Sequence, residues 1–242
     1  MKVDIGMNIN DVTRYMTNID EKQMPFATSL ALTRLAKGGQ KDTQAEMKRL
    51  FDRPTPYTIR SVYVQPAKKK RQVAVVGIKD RESSKNSKSP ADQLRHEFRG
   101  GSRGRSRLEF WLERAGKITS REYLVPGEEA RLDRYGNISR GQVQQIMSQI
   151  KVGADAISFS SDSRRSKRKR GRLKGYFWSD GRQLPKGVWQ RDGGDAVPIM
   201  IVVTQPTYRA MIDIRRVVNE GIRKRAKHEI AKAVRFAIQT AR

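Results

Sequence analysis

The clearest pattern of hydrophobic and polar positions lies in the C-terminal part of the chain. An apolar run over residues 197–204, bounded by glycines and by Pro206, predicts a buried strand. From about Tyr208 to the C-terminus, apolar residues then recur every three or four positions, which predicts one long helix. The apolar face of this helix is expected to contain Ile214, Val218, Ile222, Ala226, Ile230, Val234, Ala237 and Ala241. Its opposite face is rich in lysine and arginine and is expected to meet a partner.

The N-terminal part of the chain is predicted to begin with two helices. Apolar positions over residues 9–36 indicate a helix that Pro25 kinks or divides, because proline lacks the backbone donor. The pair Gly38–Gly39 is expected to end it. Asp42 or Thr43 would then cap a second, short helix.

A β-hairpin is predicted next. Residues 57–65 alternate between apolar and polar positions and residues 72–78 are rich in valine, while Pro54 and Pro56 are expected to exclude helix before the first strand. The connection between these strands contains Lys68, Lys69, Lys70 and Arg71, so the hairpin is expected to have a basic tip.

The middle of the chain alternates between charged and patterned segments. Residues 80–107 are rich in Ser, Gly, Lys and Arg and predict a flexible insertion, and residues 108–150 predict helical structure. Residues 151–175 are expected to form a polycationic loop. Short strands are predicted at 176–178 and 187–189.

Together these elements predict an α+β fold. A small, mostly antiparallel sheet would be packed by an N-terminal helix and a long basic C-terminal helix, with extended basic insertions. Residues 1–79 and 176–242 are expected to form a single domain, interrupted by the insertion at 80–150 and the loop at 151–175. One sheet is expected to contain residues 57–65, 72–78, 187–190 and 197–204.

Net charge is the compositional feature that restricts the possible binding partners. The 242 residues include 51 Lys and Arg against 25 Asp and Glu, a net charge of +26. Only eight of these cations lie in the densest run, so the excess extends over the whole chain. Such a field favours polyanions, either nucleic acid or an acidic protein surface. The chain has no cysteine, which fits a reducing cytoplasm, and no apolar run is long enough to predict a membrane helix or a signal peptide.

The search for catalytic chemistry yields no constellation. His96 and His228 have no neighbours in sequence that would complete a metal site or a catalytic triad, and a solvated position is favoured for His228. Glu128, Glu129 and Asp133 could in principle bind Mg²⁺, but a solvated face is the better interpretation. The glycines do not form a phosphate-binding loop. The chain is therefore predicted not to be an enzyme and to have no cofactor and no metal site.

Two sets of residues are candidates for a functional surface. The run at residues 164–174 could grip phosphates through counterion release, or it could be a disordered loop that binds any acidic surface. The aromatic residues beside it could stack on bases, but their strand context favours packing in the core or at an interface. The cations predicted to face DNA or a partner are Lys68, Lys69, Lys70, Arg71, Arg164, Arg165, Lys167, Arg168, Lys169, Arg170, Arg172, Lys174, Arg215, Arg216, Arg223, Lys224 and Arg225. The aromatic set is Tyr176, Phe177, Trp178 and Trp189.

The order of motifs in the C-terminal half carries a resemblance. Gly-Tyr-Phe-Trp at 175–178, Gly-Val-Trp at 187–189, Ala-Val-Pro-Ile at 196–199 and the long basic helix follow one another. This succession resembles the tail-completion neck proteins of tailed bacteriophages, the minor tail protein Z-like family. Residues 24–34 also look like the opening of that family, and residues 117–149 are similar to a block of uncharacterised phage structural proteins. The insertion at 80–150 makes this chain longer than the compact family members.

The resemblance implies a virion structural protein of the phage neck, assembled in the cytoplasm of the bacterial host. It would form a ring of six or twelve copies that joins the head connector or portal to the tail. Its partners would be further copies of itself, portal or connector and tail proteins, and packaged DNA held by non-specific electrostatics, with no membrane. The alternative is a basic nucleic-acid-binding protein that acts directly on DNA or RNA, although no helix-turn-helix, zinc, RRM or KH signature is present. The two hypotheses differ in the oligomeric state that they predict.

Overall fold

The computed structural model describes residues 2–5, 23–81, 88–153 and 175–240, which contain both helices and strands. In chain order the elements are β1 Lys2–Ile5, α1 Gln23–Leu50, α2 Pro56–Arg60, β2 Val62–Gln65, β3 Ala74–Ile78, α3 Pro90–Gln93, α4 Arg95–Arg99, α5 Arg107–Arg114, β4 Glu122–Pro126, α6 Arg140–Gln149, β5 Tyr176–Ser179, β6 Gly187–Asp192, β7 Asp195–Thr204 and α7 Ile214–Gln239. The predicted α+β class, with a small antiparallel sheet and N- and C-terminal helices, is confirmed.

The chain is divided into two compact units. Unit 1 comprises residues 1–101 and 208–242, and unit 2 comprises residues 102–207. Each has its own antiparallel sheet, with strand order β1-β3-β2 in unit 1 and β4-β7-β6-β5 in unit 2. The predicted single sheet is therefore wrong, and the predicted insertion at 80–150 is shared between the units. The physical reason is that β7 already has hydrogen-bonded neighbours on both sides, β4 and β6, and offers no free edge to the hairpin.

The predicted hairpin forms the sheet of unit 1. Val64 of β2 lies opposite Val76 of β3, and β3 is buried along its whole length because it lies between β1 and β2. Residues 57–60, predicted as strand, are instead helical in α2. Thr55 Oγ1 accepts a hydrogen bond from Thr58 N (3.1 Å), which caps this helix. Pro56 therefore starts a helix where it was expected to exclude one, since the first helical position needs no backbone donor.

Helix α1 continues through Gly38 and Gly39, so the prediction that these glycines end a helix is wrong. A Cβ atom at Gly39 would lie 3.2 Å from Val218 Cγ1, and one at Gly38 would lie 3.0 Å from the Arg225 guanidinium. The two glycines allow α7 to approach α1 closely. This packing outweighs their intrinsic cost in a helix, about 1 kcal/mol each.

The residues predicted to cap a second helix lie inside α1. Thr43 is fully buried, and its hydroxyl donates a hydrogen bond to Gly39 O (2.8 Å). Pro25 lies within α1 close to its described start, and residues 9–22 of the predicted first helix lie outside the described residues.

Helix α7 begins later than the sequence predicts, at Ile214. The chain just before it is used for backbone pairing, because Tyr208 forms a bridge with Gly101 and Met211 N donates to Glu97 O (2.8 Å). Asp213 then caps the helix by accepting a hydrogen bond from Arg216 N (3.1 Å). The predicted extension of the helix to residues 241–242 lies outside the described residues.

The buried face of α7 differs in part from the predicted one. Its buried residues are Ile214, Val218, Gly221, Ala233 and Ala237, whereas Ile222, Ala226, Ile230 and Val234 are half-buried. Small residues occupy the buried line because α7 packs along α1, with Ala237 beside Ala27 near one end and Val218 beside Gly39 near the other. The two helices are therefore antiparallel.

Residues 88–101, predicted as part of a flexible insertion, contain two short helices of unit 1. Ser89 caps α3 through a hydrogen bond from Asp92 N to Ser89 Oγ (3.1 Å). Ala91, Leu94 and Phe98 pack against the core, at a spacing of three and four residues. The prediction is wrong here because three apolar residues at helical spacing suffice to anchor a polar segment. Residues 82–87 lie outside the described residues.

Unit 2 confirms the three C-terminal strands and adds one that the sequence did not predict. Strand β4 pairs with β7, with Leu124 opposite Val202. Its core includes Leu112 from α5, Ile146 from α6, Val188 from β6 and Ile199 from β7.

A buried carboxylate connects three segments in the N-terminal part of unit 2. Glu109 in α5 has no exposed side-chain surface and accepts hydrogen bonds from Arg103 Nη1 (2.9 Å), Leu124 N (2.7 Å) and Ser106 N (2.6 Å). Burial by itself would raise the pKa of Glu109. The hydrogen bonds from Arg103, Leu124 and Ser106 outweigh it and hold that pKa below its usual range. The carboxylate thus connects the loop before α5, the N-terminus of α5 and β4.

Candidate nucleic-acid interface

The tip of the β2–β3 hairpin presents four cations. Lys68 N donates to Arg71 O (2.9 Å) and Arg71 N donates to Lys68 O (3.0 Å), which closes a turn over Lys69 and Lys70. All four side chains are exposed. Within the described part of the chain, none of them pairs with a carboxylate. The structure thus places the predicted tip residues together on one accessible turn.

The hairpin tip contacts helix α1 of unit 1. Ala67 N donates a hydrogen bond to Thr33 Oγ1 in α1 (3.1 Å). Lys69 Nζ lies 5.2 Å from the centre of the Phe26 ring, and this ring lies 6.3 Å from the ring of Phe236 in α7. A backbone contact therefore positions the turn against α1, and an aromatic contact positions the side chain of Lys69.

Arg34 of α1 adds a fifth cation. Its guanidinium carbon lies 5.8 Å from the centre of the Phe236 ring, and its Nη1 is buried and has no hydrogen-bond partner among the described residues. A buried donor without an acceptor costs about 1–3 kcal/mol. We call the hairpin cations, Arg34 and the two phenylalanine rings the tip cluster, which consists of Phe26, Arg34, Lys68, Lys69, Lys70, Arg71 and Phe236.

A second group of cations lies on the outer face of α7. The cationic stripe consists of the exposed side chains of Arg215, Arg216, Arg223, Lys224, Lys227, Lys232 and Arg235. Within α7, Glu220 is exposed and lies 4.0 Å from Arg216 Nε. An ion pair of this length between two exposed side chains offsets little of the positive charge.

Arg225 does not belong to this stripe, although the sequence predicts that it faces DNA or a partner. Its guanidinium forms a bidentate ion pair with Asp42 of α1, with Nη1 3.0 Å from Oδ1. A Cβ atom at Gly221 would overlap the Asp42 carboxylate. Arg225 is instead part of the contact between the two helices, because the glycines bring the helix axes close enough for the pair to form.

The four aromatic residues of the predicted interface set belong to the sheet of unit 2. Trp189 is 6% exposed and donates from Nε1 to Pro185 O (2.8 Å). Tyr176 and Trp178 pack against the core of unit 2, and Phe177 is half-buried with the Arg191 guanidinium carbon 5.4 Å from its ring centre. Their surroundings therefore agree with the packing interpretation rather than with stacking on bases.

The densest basic run of the sequence lies outside the described residues. It contains Arg164, Arg165, Lys167, Arg168, Lys169, Arg170, Arg172 and Lys174. The candidate interface within the described part of the chain therefore consists of the tip cluster and the cationic stripe, both in unit 1.

The titratable residues singled out in the sequence have local structural contacts. His96 lies in α4 with its ring 4.9 Å from the Tyr208 ring and its Nε2 3.1 Å from Glu97 Oε1, whereas His228 is exposed on α7. Asp133 Oδ1 accepts hydrogen bonds from two backbone amides of its own turn. The described residues include no group of three or more His, Cys, Asp or Glu that could hold a metal ion.

Sequence reasoning missed the residues that position the hairpin tip. Phe26, Arg34 and Phe236 come from the two ends of the chain and meet only because α1 and α7 are antiparallel. A pattern within one segment cannot reveal such a contact. The basic tip itself was visible in the sequence as four consecutive cations between two strand patterns.

Comparison of the chain with protein-family models, with curated proteins and with solved structures finds no match. The resemblance to phage neck proteins therefore stays a prediction. Among the described residues, no helix combines the length and the apolar character that crossing a bilayer requires.

Proposed function

We propose that this protein is a structural component of the neck of a tailed bacteriophage. In this proposal it forms a ring of six or twelve copies between the head connector or portal and the tail, around the channel through which DNA passes. The proposal rests on the resemblance of the C-terminal half to tail-completion proteins. The structural observation that carries it furthest is the cationic surface of unit 1, formed by the tip cluster and the cationic stripe.

Charge supports a role that brings the protein close to a polyanion. A net charge of +26 on a chain of 27.7 kDa makes copies repel each other unless something negative neutralises them. The tip cluster contains five cations without a carboxylate partner in the described residues, and the stripe adds seven exposed ones. In a ring, DNA in the channel and acidic patches of neighbouring proteins would supply the negative charge.

The packing of α7 leaves a surface free for such a contact. Its buried line of small residues faces α1, so the opposite side of a 26-residue helix, about 39 Å long, remains exposed. A rigid helix supported along one side can hold cations in a fixed row on the other. Such a row suits the wall of a channel or an extended contact with a neighbouring subunit.

Oligomeric state is the property that tests the proposal. The full chain would be purified in buffers of increasing salt, with and without a short DNA duplex, and its mass measured by native mass spectrometry and light scattering. The expected result is one closed species of six or twelve copies. A monomer or dimer under all these conditions would contradict the proposal.

The alternative, a nucleic-acid-binding protein that acts alone, shares the same electrostatics. It predicts a monomer or dimer whose affinity for DNA or RNA falls steeply with salt, because counterion release dominates the binding free energy. The same mass measurement therefore separates the two functions. Both functions predict DNA binding, so they are distinguished by whether a ring forms.

A further inference from the structure

The tip cluster combines a high local charge with a defined geometry. Five cations lie on one hairpin turn and the adjoining part of α1, without a carboxylate partner in the described residues. A lysine on a flexible loop loses side-chain entropy when it binds a ligand. Here Lys69 and Arg34 already lie over phenylalanine rings, which reduces the freedom that binding must remove.

The arrangement of the rings indicates which part of a nucleic acid is contacted. Lys69 lies over the ring of Phe26, and Arg34 lies over the ring of Phe236. These ring faces are occupied by cations, so the rings serve to position charge and are poorly placed to stack on bases. Phosphate oxygens, which accept hydrogen bonds from ammonium and guanidinium groups, fit such a surface better than bases do.

Arg34 provides an independent indication that an acceptor is missing. Its Nη1 is buried and has no hydrogen-bond partner within the described residues. An oxyanion that binds beside the hairpin tip would satisfy this donor after the guanidinium reorients. Such a contact would offset the cost of burying this donor without an acceptor.

We propose that the tip cluster is a binding site for the phosphate groups of duplex DNA, contacted through the backbone and without sequence preference. The duplex is favoured over a single strand because a cation already lies over each ring of the cluster, which favours contact with phosphates over stacking on exposed bases. This assignment deepens the proposed function and depends on it for the source of the DNA. In this assignment the hairpin tip contacts DNA in addition to the cationic stripe of α7.

The test compares two charge-matched double variants of the full chain. Lys69→Gln with Lys70→Gln removes two cations from the tip, and Lys41→Gln with Lys48→Gln removes two exposed cations from the far part of α1. Binding of a fluorescein-labelled duplex would be measured by anisotropy over a range of KCl concentrations. The tip variant should bind about tenfold more weakly at about 100 mM salt, and the salt slope should fall by about 2. The α1 variant should change the affinity by less than about twofold.

A third variant tests the geometry without changing the charge. Phe236→Ala removes the ring below Arg34 and is tolerable for folding because Phe236 is 42% exposed. It should weaken duplex binding by about threefold, whereas the circular dichroism spectrum should stay unchanged. Ile238→Ala, which truncates an exposed side chain of the same helix outside the cluster, is the matched control.

Equal losses in the two double variants would overturn the assignment, since binding would then follow net charge alone. Tighter binding of a single strand than of the duplex would overturn the choice of ligand. These outcomes are separable from the proposed function, because the copy number is measured on the same samples. A ring whose tip variant binds DNA normally refutes the tip site only, and a monomer whose tip variant loses affinity refutes the ring only.

Discussion

Lysine and arginine have different roles in the two units of this molecule. In unit 2, Arg103 is bonded to Glu109, Arg105 Nε lies 3.1 Å from Glu113, and Lys186 Nζ lies 2.8 Å from Glu122. These cations are neutralised within the unit and stabilise it. In unit 1, the cations of the tip cluster and most of the cationic stripe have no carboxylate partner among the described residues. The two groups of exposed cations proposed as an interface therefore both lie in unit 1.

The helix contact of unit 1 shows the same distinction within one helix. Arg225 is used internally, because Gly221 and Gly38 let its guanidinium reach Asp42 across the interface. Arg223 and Lys224, its neighbours in sequence, are exposed. The role of a cation here depends on which side of α7 it occupies and not on the local density of charge.

The two units can be followed separately by spectroscopy. The three tryptophans of the chain, Trp111, Trp178 and Trp189, all belong to unit 2, so tryptophan fluorescence reports on that unit. The two longest helices, α1 and α7, belong to unit 1 and dominate the far-UV circular dichroism. An effect on unit 2 is therefore expected in tryptophan fluorescence, and an effect on unit 1 is expected in circular dichroism.

The largest expected effect is the loss of the buried carboxylate in unit 2. Glu109→Ala removes the buried carboxylate that accepts hydrogen bonds from Arg103 and from two backbone amides, and it should lower the free energy of unfolding by about 3–5 kcal/mol. Urea unfolding followed by tryptophan fluorescence measures this. Glu113→Ala, which removes a more exposed partner of Arg105, should cost less than about 1 kcal/mol. Equal shifts for both variants would show that the Glu109 contacts are not what stabilises unit 2.

A smaller effect is expected at the helix contact of unit 1. Gly221→Ala places a methyl group against the Asp42 carboxylate, so the ion pair between Asp42 and Arg225 must rearrange and stability should fall by about 1–3 kcal/mol. Urea unfolding followed by circular dichroism reports this loss. The control is Gly141→Ala in α6, where an added Cβ meets nothing within 4 Å. That change should stabilise unit 2 by about 0.5–1 kcal/mol, and a stabilised Gly221→Ala would refute the close helix contact.

Acid should affect unit 2 through Glu109. The hydrogen bonds from Arg103, Leu124 and Ser106 hold the pKa of Glu109 in the folded state below the usual range of a glutamate, so the folded state favours the ionised form. The stabilisation is therefore complete above about pH 4.5 and is lost as the pH falls through the lower folded pKa. The fluorescence-detected stability of the wild type should decrease in this range. In Glu109→Gln the decrease should be smaller, and an unchanged pH profile would contradict the role of this carboxylate.

The smallest expected effect on stability is at the hairpin tip. Lys69→Gln with Lys70→Gln removes two exposed side chains that make no hydrogen bond to the described residues of unit 1, so both unfolding signals should shift by less than about 0.5 kcal/mol. A clear loss of stability would mean that the tip lysines maintain the fold and are not free to serve a ligand. The same samples provide the stability control for the DNA-binding measurements.

Segments with strong local patterns were predictable from the sequence. The valine-rich strand at 74–78, the apolar strand ending at Thr204 and the hairpin with its basic tip follow from alternation and turn residues. The helical nature of α7 also follows from its apolar spacing. These elements are specified by the residues they contain, so one sequence suffices to find them.

The failures occurred where a distant contact decides the local structure. Gly38 and Gly39 have the pattern of a helix end, but their contact with α7 keeps α1 continuous. Strand β4 lacks a strong alternating pattern and is held by its pairing with β7 and by the hydrogen bond of Leu124 N to Glu109. Pairing partners decide sheet membership, which is why the division into two sheets was missed.

The candidate interface was also predictable from the sequence only in part. The exposed cations of the hairpin tip and of α7 could be named from charge and periodicity. Arg225 could not be separated from them, because its pairing with Asp42 spans 183 positions in the chain. The positions of Arg34, Phe26 and Phe236 depend equally on the antiparallel packing of the two terminal helices.

The central claim, that copies of this chain form a ring whose inner wall carries the unpaired cations of unit 1, is tested most directly by electron cryo-microscopy of the assembled full-length protein with duplex DNA. The claim predicts a closed ring of six or twelve copies, with Lys68–Arg71 and the cationic stripe of α7 lining the channel next to DNA density. A ring with these side chains on its outer rim, or particles of one or two copies only, would contradict it.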